Sequence, residues 1–493
     1  MREVLSRVVL EKFVKGKITS VPPYRLPVGG CTGVSNFWYK DDRLVKRPAP
    51  SSLGGVVDDN VVGFYEYRLL SGATKLCLFT LKDVYYYSSG WSQVTADVFT
   101  SGVDDHIAAT TFTDTLIVTN GKDHVKKWTG TGAVGDLIGG DGYQTPVFHI
   151  AKQVINYKNR IALFHTTEDS VLCPQRFRFS DVGTIEDWTS ANFFDLQDKP
   201  DAIVKALRLS QKLVIYKDSS VVLCMYVGGE QIFDFATAVE STGLLAPRSL
   251  KAVTTPRGDV HIFLSRGGVM MYDGGSYVIP VSKSIEEELM LDTAFQYASR
   301  AFAVVYPRHS LYVLFMPGSD GEMKKAYVFN YWQRGWSVWD FASAYTGGWE
   351  YGGEGTNWVP SEARTNLLGR GVQAEELNLG GTTEWDGEAT WESKNLELSP
   401  KGRNNYFTVK YVLVEAKGND GGEVLLDYSI DEGVSWDNIG TVTLTDSWGW
   451  HKVEATQVTA KSLRVRLKQA SGADGWVEVR RAEVYFDASR GSH

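Results

Sequence analysis

Residues 107–128 read IAATTFTDTLIVTNGKDHVKKW and contain the pattern from which we predict the fold. Three short apolar runs, residues 107–112, 116–119 and 125–128, are separated by Thr-Asp and Asn-Gly-Lys-Asp. These separators are residue types typical of tight turns between antiparallel strands. The stretch therefore predicts a small sheet of short strands that ends on the aromatic residue Trp128.

The same unit recurs along most of the chain, with copies at residues 202–225, 250–272 and 301–331. If the middle apolar run is used as the marker, the units begin at Leu76, Leu116, Ile161, Leu213, Val260, Leu311 and Leu367. Successive markers are 40 to 56 residues apart, which is the interval expected of four-stranded propeller blades. A plain β-sandwich with similar hairpins is the alternative. The number of units favours an all-β chain with a β-propeller of six to eight blades, and seven is our best estimate.

A different pattern begins near residue 400, where longer segments alternate apolar and polar residues. These segments are residues 406–416, 423–430, 440–445, 462–468 and 477–486. Five alternating strands in fewer than ninety residues predict a small β-sandwich or jelly roll. A helix with an apolar side is predicted at residues 282–295, as an insertion between blades.

The predicted domains follow from these boundaries. They are an N-terminal basic arm with the first strand (1–50), the β-propeller (51–399), the C-terminal β-sandwich (400–487) and a remnant of an affinity tag (488–493).

Composition agrees with a large all-β body, since 12% of the 493 residues are aromatic and 49 are glycine. The four cysteines, at positions 31, 77, 173 and 224, are too widely spaced for a zinc ribbon or a redox pair. We expect them to be free core thiols. No apolar run approaches the length of a membrane span and the first 17 residues lack a signal-peptide block. We therefore expect the chain to fold in a reducing cytoplasm.

The charge is unevenly distributed. The net charge is −8, yet the first 50 residues hold ten Lys and Arg against four Asp and Glu. A basic opening on an acidic body indicates contact with an acidic partner, either a protein surface or nucleic acid. The alternative is that these charges only solvate an extended arm.

The sequence carries little sign of catalysis. It has no His-x-x-x-His pair, no Gly-x-Ser-x-Gly elbow and no phosphate-binding loop. We therefore predict no catalytic, cofactor-binding or metal-binding residue, no cofactor, and a protein that is not an enzyme.

One motif, Ser429-x-Asp431-x-Gly433-x-x-Trp436, fits the Asp box of sialidases and related propellers. Its chemistry is structural, because Ser and Asp side chains bond backbone N–H groups in a hairpin turn. A sialidase should repeat the box across its blades, whereas this chain has it once and outside the propeller, so a sialidase-like glycosidase is a lesser alternative. The tryptophans at 436, 448, 450 and 476 fit either a domain core or sugar stacking.

Several stretches resemble the tail β-propeller proteins of bacteriophages. The resemblance begins with PYRLP (23–27), NFWY (36–39) and DDRLVKRP (41–48). It continues through RFSDVG (178–183), APRS (246–249) and YVFNY (327–331), and covers residues 20 to 395 in collinear order. Asp42 and Ala49 depart from the family pattern, in which glycine is usual at both places.

The resemblance implies a virion structural protein, similar to the tail hub or nozzle proteins of short-tailed phages. Copies of such a protein, commonly six, form a ring below the portal and adaptor, a part of the head–tail connector. They retain packaged DNA and provide part of its exit channel during genome ejection. The implied localisation is the virion, after assembly in the bacterial host cytoplasm.

The implied partners are copies of itself, the portal, the adaptor and other tail proteins, with no membrane. Double-stranded DNA would pass without sequence-specific binding, along a lumen expected to be acidic. Arg25, Arg43, Lys46 and Arg47 of the basic arm become a candidate assembly interface. A stand-alone propeller that serves as a protein-interaction module is the main alternative function.

Overall fold

Short antiparallel strands make up most of a computed structural model of the chain. The described residues are 5–137, 148–292, 294–349, 365–379, 387–398, 406–469 and 475–488. The strands form five four-stranded sheets and one eight-stranded sheet arranged in a ring, and a six-stranded and a seven-stranded sheet packed face to face.

The first three blades each contain four strands in antiparallel order. Blade one has Val61–Arg68, Thr74–Thr80, Val84–Tyr87 and Trp91–Thr95; blade two has Ala108–Phe112, Thr115–Thr119, Lys126–Trp128 and Gly135–Asp136; blade three has Phe148–Asn156, Ile161–Glu168, Val171–Phe179 and Phe193–Asp195.

The next three blades repeat this order. Blade four has Ile203–Leu209, Lys212–Lys217, Val221–Gly228 and Ile232–Val239; blade five has Lys251–Thr255, Gly258–Ser265, Gly268–Tyr272 and Ile279–Pro280; blade six has Phe302–Tyr306, Leu311–Met316, Met323–Asn330 and Gly335–Tyr345.

Blade seven closes the ring with strands from both ends of the propeller sequence. It has Gly347–Trp349, Thr365–Arg370 and Gln373–Asn378, and its outermost strand is Ser51–Ser52 from the N-terminal side. Gly347–Trp349 also pairs in parallel with Val61–Arg68 of blade one. The first strands of the seven blades contact one another in ring order, back to blade one. The chain is therefore a seven-bladed β-propeller, as the repeat predicted.

The spacing of the repeat located the blades correctly. Each of the seven marker residues lies in the second strand of a successive blade, from Leu76 in blade one to Leu367 in blade seven. The packing explains this regularity, because Leu116, Ile161, Leu213 and Leu311 are buried between neighbouring sheets.

A β-sandwich of a six-stranded and a seven-stranded sheet accompanies the propeller. The six-stranded sheet has Gly449–Ala460, Phe407–Gly418, Val477–Ala488, Arg43–Lys46 and Phe37–Lys40 in that order, with Ser6–Glu11 also paired to Val477–Ala488. The seven-stranded sheet has Gly16–Lys17, Gly30–Ser35, Ala389–Ser393, Ser462–Gln469, Glu423–Ser429 and Asp437–Thr443, with Leu396–Glu397 also on Ser462–Gln469.

The domain boundaries differ from those predicted at both ends. Residues 6–46 are not an arm, because their strands pair with C-terminal strands in both sheets of the sandwich. The sandwich also takes Ala389–Ser393 and Leu396–Glu397 from the region assigned to the propeller. The strands of this N-terminal segment bury apolar side chains such as Phe37 and Leu44, and that burial holds them in the sheets. Of the expected tag remnant only Ala488, which ends a strand, lies within the described residues.

Helices are few and short. One α-helix spans Glu286–Asp292, and the 3₁₀ segments are Phe13–Lys15, Pro23–Arg25, Pro247–Ser249, Phe295–Arg300 and Pro307–His309. The α-helix is shorter than the predicted 282–295, and the Ser282 hydroxyl before it accepts the Val269 N–H. In the described part of the chain, none of the helices is long and apolar enough to cross a bilayer.

His261 is fully buried between blades four and five. Its Nε2 lies 2.8 Å from the carbonyl oxygen of Arg208, and its Nδ1 lies 2.9 Å from the hydroxyl of Tyr216. Because a carbonyl can only accept, Nε2 carries the hydrogen and Nδ1 accepts from the Tyr216 hydroxyl. Burial lowers the pKa of His261 to about 4, so the imidazole is neutral in the folded protein at neutral pH.

Acid is expected to destabilise the fold through His261. Below about pH 6.5 the unfolded chain protonates this histidine, whereas the folded chain does not until the pH approaches its own lower pKa. Stability is therefore lost as the pH falls through this window, by about 3 kcal/mol at its lower end. Urea-unfolding midpoints at pH 7 and pH 4.5 should show a smaller acid loss for His261→Gln than for the native chain. Equal acid losses in His261→Gln and in the native chain would contradict the assignment.

Candidate functional site

The N-terminal segment lies where blade six meets the sandwich. The N–H of Thr19 donates to the carbonyl of Ser284 at 2.7 Å, and the N–H of Asn36 donates to the carbonyl of Val338 at 2.8 Å. Gly16 approaches the strand Gly335–Tyr345 so closely that a Cβ there would lie 2.4 Å from the Trp336 backbone nitrogen. The two bodies are therefore joined by backbone contacts as well as by the chain.

Asn36 and Arg47 form the polar centre of this junction. Asn36 adopts a positive φ of 60°, and its Oδ1 accepts from Arg47 Nε at 3.0 Å and from the Asp340 N–H at 2.9 Å. Arg47 also donates to the Asp340 carbonyl at 2.7 Å and lies 4.3 Å over the ring of Phe341. Burial lowers the pKa of Arg47 to about 10, so the guanidinium keeps its charge at neutral pH. These contacts fix the N-terminal hairpin, Phe37–Lys40 with Arg43–Lys46, on blade six.

Replacing Arg47 should loosen the junction. Arg47→Ala removes the guanidinium that donates hydrogen bonds to Asn36 Oδ1 and to the Asp340 carbonyl. We expect a loss of about 2–3 kcal/mol in the free energy of unfolding. Arg47→Lys should recover little of it, because an ammonium cannot reproduce the planar fork. Thermal unfolding measures the effect, with Arg25→Ala at an exposed position as the matched control. Equal melting temperatures for the two alanine variants would show that the Arg47 contacts do not stabilise the junction.

The four residues proposed for assembly fall into different environments. Lys46 and Arg47 are buried, and Arg43 pairs with Asp41 at 3.1 Å and Glu478 at 2.9 Å. Arg25 is exposed and lies 5.7 Å from the ring of Tyr24. The structure thus differs from the prediction of one free basic arm, because hydrogen bonds and burial commit most of this charge within the chain. A role in assembly stays a prediction for Arg25.

One end of the propeller carries a basic rim, formed by the turns that follow the inner strands. Since these strands run in the same direction around the ring, their turns lie at the same end. In blades one to six they contain Lys158, Arg160, Arg257 and Arg308, against a single acidic residue, Asp114.

Long-range contacts tie the opposite end of the propeller together. Arg300 donates to Asp104 at 2.6 Å and so joins the segment before blade six to the segment before blade two. Arg248, which is buried, donates to the carbonyls of Thr346 at 2.8 Å and Arg300 at 2.6 Å. The hydrogen bond from Arg300 lowers the pKa of Asp104, which favours the ion pair at neutral pH.

The Asp-box residues form one hairpin turn in the sandwich. The Ser429 hydroxyl accepts the Gly433 N–H at 2.8 Å, and Asp431 accepts the N–H and the hydroxyl of Ser435 at 2.9 and 2.5 Å. These bonds from Ser435 hold the pKa of Asp431 well below its usual range. Gly433 has a φ of 92°, which favours glycine. Trp436 lies between two cations, 5.4 Å from Arg464 and 4.5 Å from Arg466.

The other sandwich tryptophans differ in how open their rings are. Trp448 has Arg480 at 3.9 Å from its ring centre, and Lys417 lies 5.0 Å from the ring of Trp476. Trp450 is 51% exposed. Cations therefore cover rings that could otherwise stack on sugars, and only some of this group is open to solvent.

The described residues contain no cluster of three or more His, Cys, Asp and Glu side chains able to hold a metal ion. The four cysteines are free, and burial raises the pKa of Cys31 and Cys77 to about 12, so these thiols are poor nucleophiles.

Strand order and closure define the class of the chain, a seven-bladed β-propeller joined to a β-sandwich. No protein-family profile matches the sequence, and a search of curated proteins found no match.

Among the solved structures to which the chain is similar are three other β-propeller proteins. They are a virginiamycin B lyase from Staphylococcus aureus (10% identity, TM-score 0.41, 67% of this chain and 98% of that one), YCF48 bound to D1 peptide (9%, 0.39, 67% and 97%) and BamB from Moraxella catarrhalis (10%, 0.38, 76% and 97%). These likenesses are too distant to bear on function, and the fold assignment rests on the strand pairing.

Proposed function

We propose that this protein is a structural subunit of a bacteriophage tail, part of a nozzle or hub ring below the portal and adaptor. It would help to retain packaged DNA and would form part of the exit channel. The observation that supports the proposal is the position of the sequence stretches that resemble tail propeller proteins. They lie at the contacts that fix blades and domains to one another, among them Asn36 with Arg47 at the sandwich and Arg248 across blades five to seven.

Such a role needs a wall that does not deform. Closure by Ser51–Ser52 leaves blade seven held by strands from both sides of the propeller sequence, and the sandwich is bonded to blade six. Paired strands in a closed ring leave few exposed edges, which suits repeated packing of copies side by side. The exposed basic rim residue Arg257 would face an acidic surface of a neighbouring tail protein or the phosphates of DNA.

Electron microscopy tests the proposal directly. The purified chain, mixed with the portal and adaptor of the same genome, should form a ring of six copies below the adaptor. Particles assembled without the chain should lose packaged DNA. A chain that remains monomeric and joins no particle would overturn the proposal and would favour a separate interaction module. Turnover of a fluorogenic sialoside would instead favour a glycosidase.

A further inference from the structure

A cleft of about 370 Å³ opens between the sandwich and blade six. One wall is the N-terminal hairpin around Lys40 and Asp41, and the other is made of two blade-six turns that carry Arg308 and Trp332. Its volume falls in the range of small-ligand pockets. Neither the proposed ring nor the Asp-box turn accounts for it.

Trp38 and His309 pack together at the bottom of the cleft, and the ring of Trp332 is open to solvent. Trp38 is buried and meets the ring of His309 edge to face, with centroids 4.8 Å apart. Trp332 is 57% exposed, although its backbone is fixed, because its N–H donates to Asn330 Oδ1 at 3.1 Å. A large ring held in place and left open to solvent offers an apolar face to a ligand without an ordering cost in the backbone.

The polar groups around this ring have an excess of positive charge. Among the described residues, neither Lys40 nor Arg308 has an ion-pair partner, whereas the carboxylate of Asp41 is paired with Arg43 at 3.1 Å. Gln333 and Ser310 add an amide and a hydroxyl to the lining. The cleft therefore combines an apolar ring face, neutral hydrogen-bonding groups and two cations.

We propose that this cleft binds a saccharide that carries a carboxylate, such as a uronic or sialic acid unit. The face of the pyranose ring packs on Trp332. The guanidinium of Arg308 receives the carboxylate in a bidentate pair, and Lys40 adds a second cation. Gln333 and Ser310 supply the paired donors and acceptors that sugar hydroxyls require. This activity is independent of the proposed tail role.

Two simple glycosides test the inference on the full chain in solution. Methyl β-glucuronide is the acidic probe, and methyl β-glucoside has the same ring without the carboxylate. Tryptophan fluorescence and saturation-transfer NMR should show that the glucuronide binds more tightly. Trp332→Ala should weaken glucuronide binding at least tenfold. Arg308→Gln should bring the two affinities close together, because the carboxylate loses its partner.

Trp450→Ala is the matched control, since Trp450 is also about half exposed but lies in the sandwich away from the cleft. It should bind the glucuronide like the native chain. Absence of glucuronide binding in the millimolar range, an equal loss in Trp450→Ala, or tighter binding of adenosine monophosphate would each overturn the proposal. Ring formation is measured separately by electron microscopy. The binding result therefore neither supports nor contradicts the proposed tail role.

Discussion

A chain that lacks residues 1–50 is expected not to fold. The deletion removes strands from both sheets of the sandwich, among them Ser6–Glu11 and Gly30–Ser35. It also removes nine buried apolar side chains, Leu10, Phe13, Leu26, Cys31, Val34, Phe37, Trp38, Tyr39 and Leu44. At about 2 kcal/mol each, their burial is worth about 18 kcal/mol, which exceeds the whole stability of a typical domain.

Circular dichroism and limited proteolysis of the truncated protein provide the measurement. A chain without residues 1–4 is the control and should remain folded, because the first paired strand begins at Ser6. Co-expression of a separate fragment of residues 1–50 should restore soluble protein, since the missing strands could pair from outside. A truncated protein that melts like the full chain would show that the N-terminal segment is a dispensable arm after all.

The propeller was predictable because its signal is local and repeated. Each blade has its own apolar runs and turns, so markers such as Leu213 and Val260 identify strands without knowledge of distant contacts. Alternation likewise located the C-terminal strands of the sandwich.

The N-terminal partners could not be found in this way. Ser6 pairs with Phe486, and Cys31 pairs with Ser393, across several hundred residues. Strand periodicity records which face of a strand is buried but not which strand lies beside it. The basic residues of this segment suggested a solvated arm, although the apolar residues between them, such as Trp38 and Leu44, already favoured a buried hairpin.

The cleft could not be predicted for a related reason. The sequence around Trp332 does not indicate a binding residue, because its neighbours in the cleft, Lys40 and Arg308, come from other parts of the chain. Exposure of a large aromatic residue becomes visible only when the fold is known.

Loss of the Glu168 charge is expected to destabilise blade three strongly. Glu168 is 4% exposed and accepts two hydrogen bonds, each 2.7 Å long, from Arg178, whose side chain is fully buried. Arg176 and Thr166 donate to the same carboxylate at 2.6 and 2.8 Å. Burial alone would raise the pKa of Glu168, but these bonds and the charge of Arg178 outweigh it and lower the pKa.

Glu168→Gln keeps the shape of the side chain but leaves Arg178 as a buried charge without its counter-ion. Breaking such a pair typically costs about 3–5 kcal/mol, and we expect a loss of this size in urea unfolding at pH 7. Arg176 contributes less to the penalty, because it keeps its bidentate pair with Asp195 at 2.7 and 2.6 Å. Lys324→Ala, in an exposed ion pair with Glu322, should leave the unfolding midpoint unchanged.

A double-mutant cycle separates two contributions to the loss of stability. One is the loss of the ion pair itself, and the other is the cost of leaving Arg178 as a buried charge without its counter-ion. In Glu168→Leu with Arg178→Met both charges are gone, so no unpaired charge is left in the blade. We expect the double variant to be more stable than Glu168→Leu alone by about 2 kcal/mol, since apolar residues can replace a buried ion pair at little cost. If the two losses simply added, the stability of blade three would come from packing of the individual side chains and not from the charge pair. Non-additivity would show that Arg178 and Glu168, ten positions apart in the sequence, stabilise the blade as a charge pair.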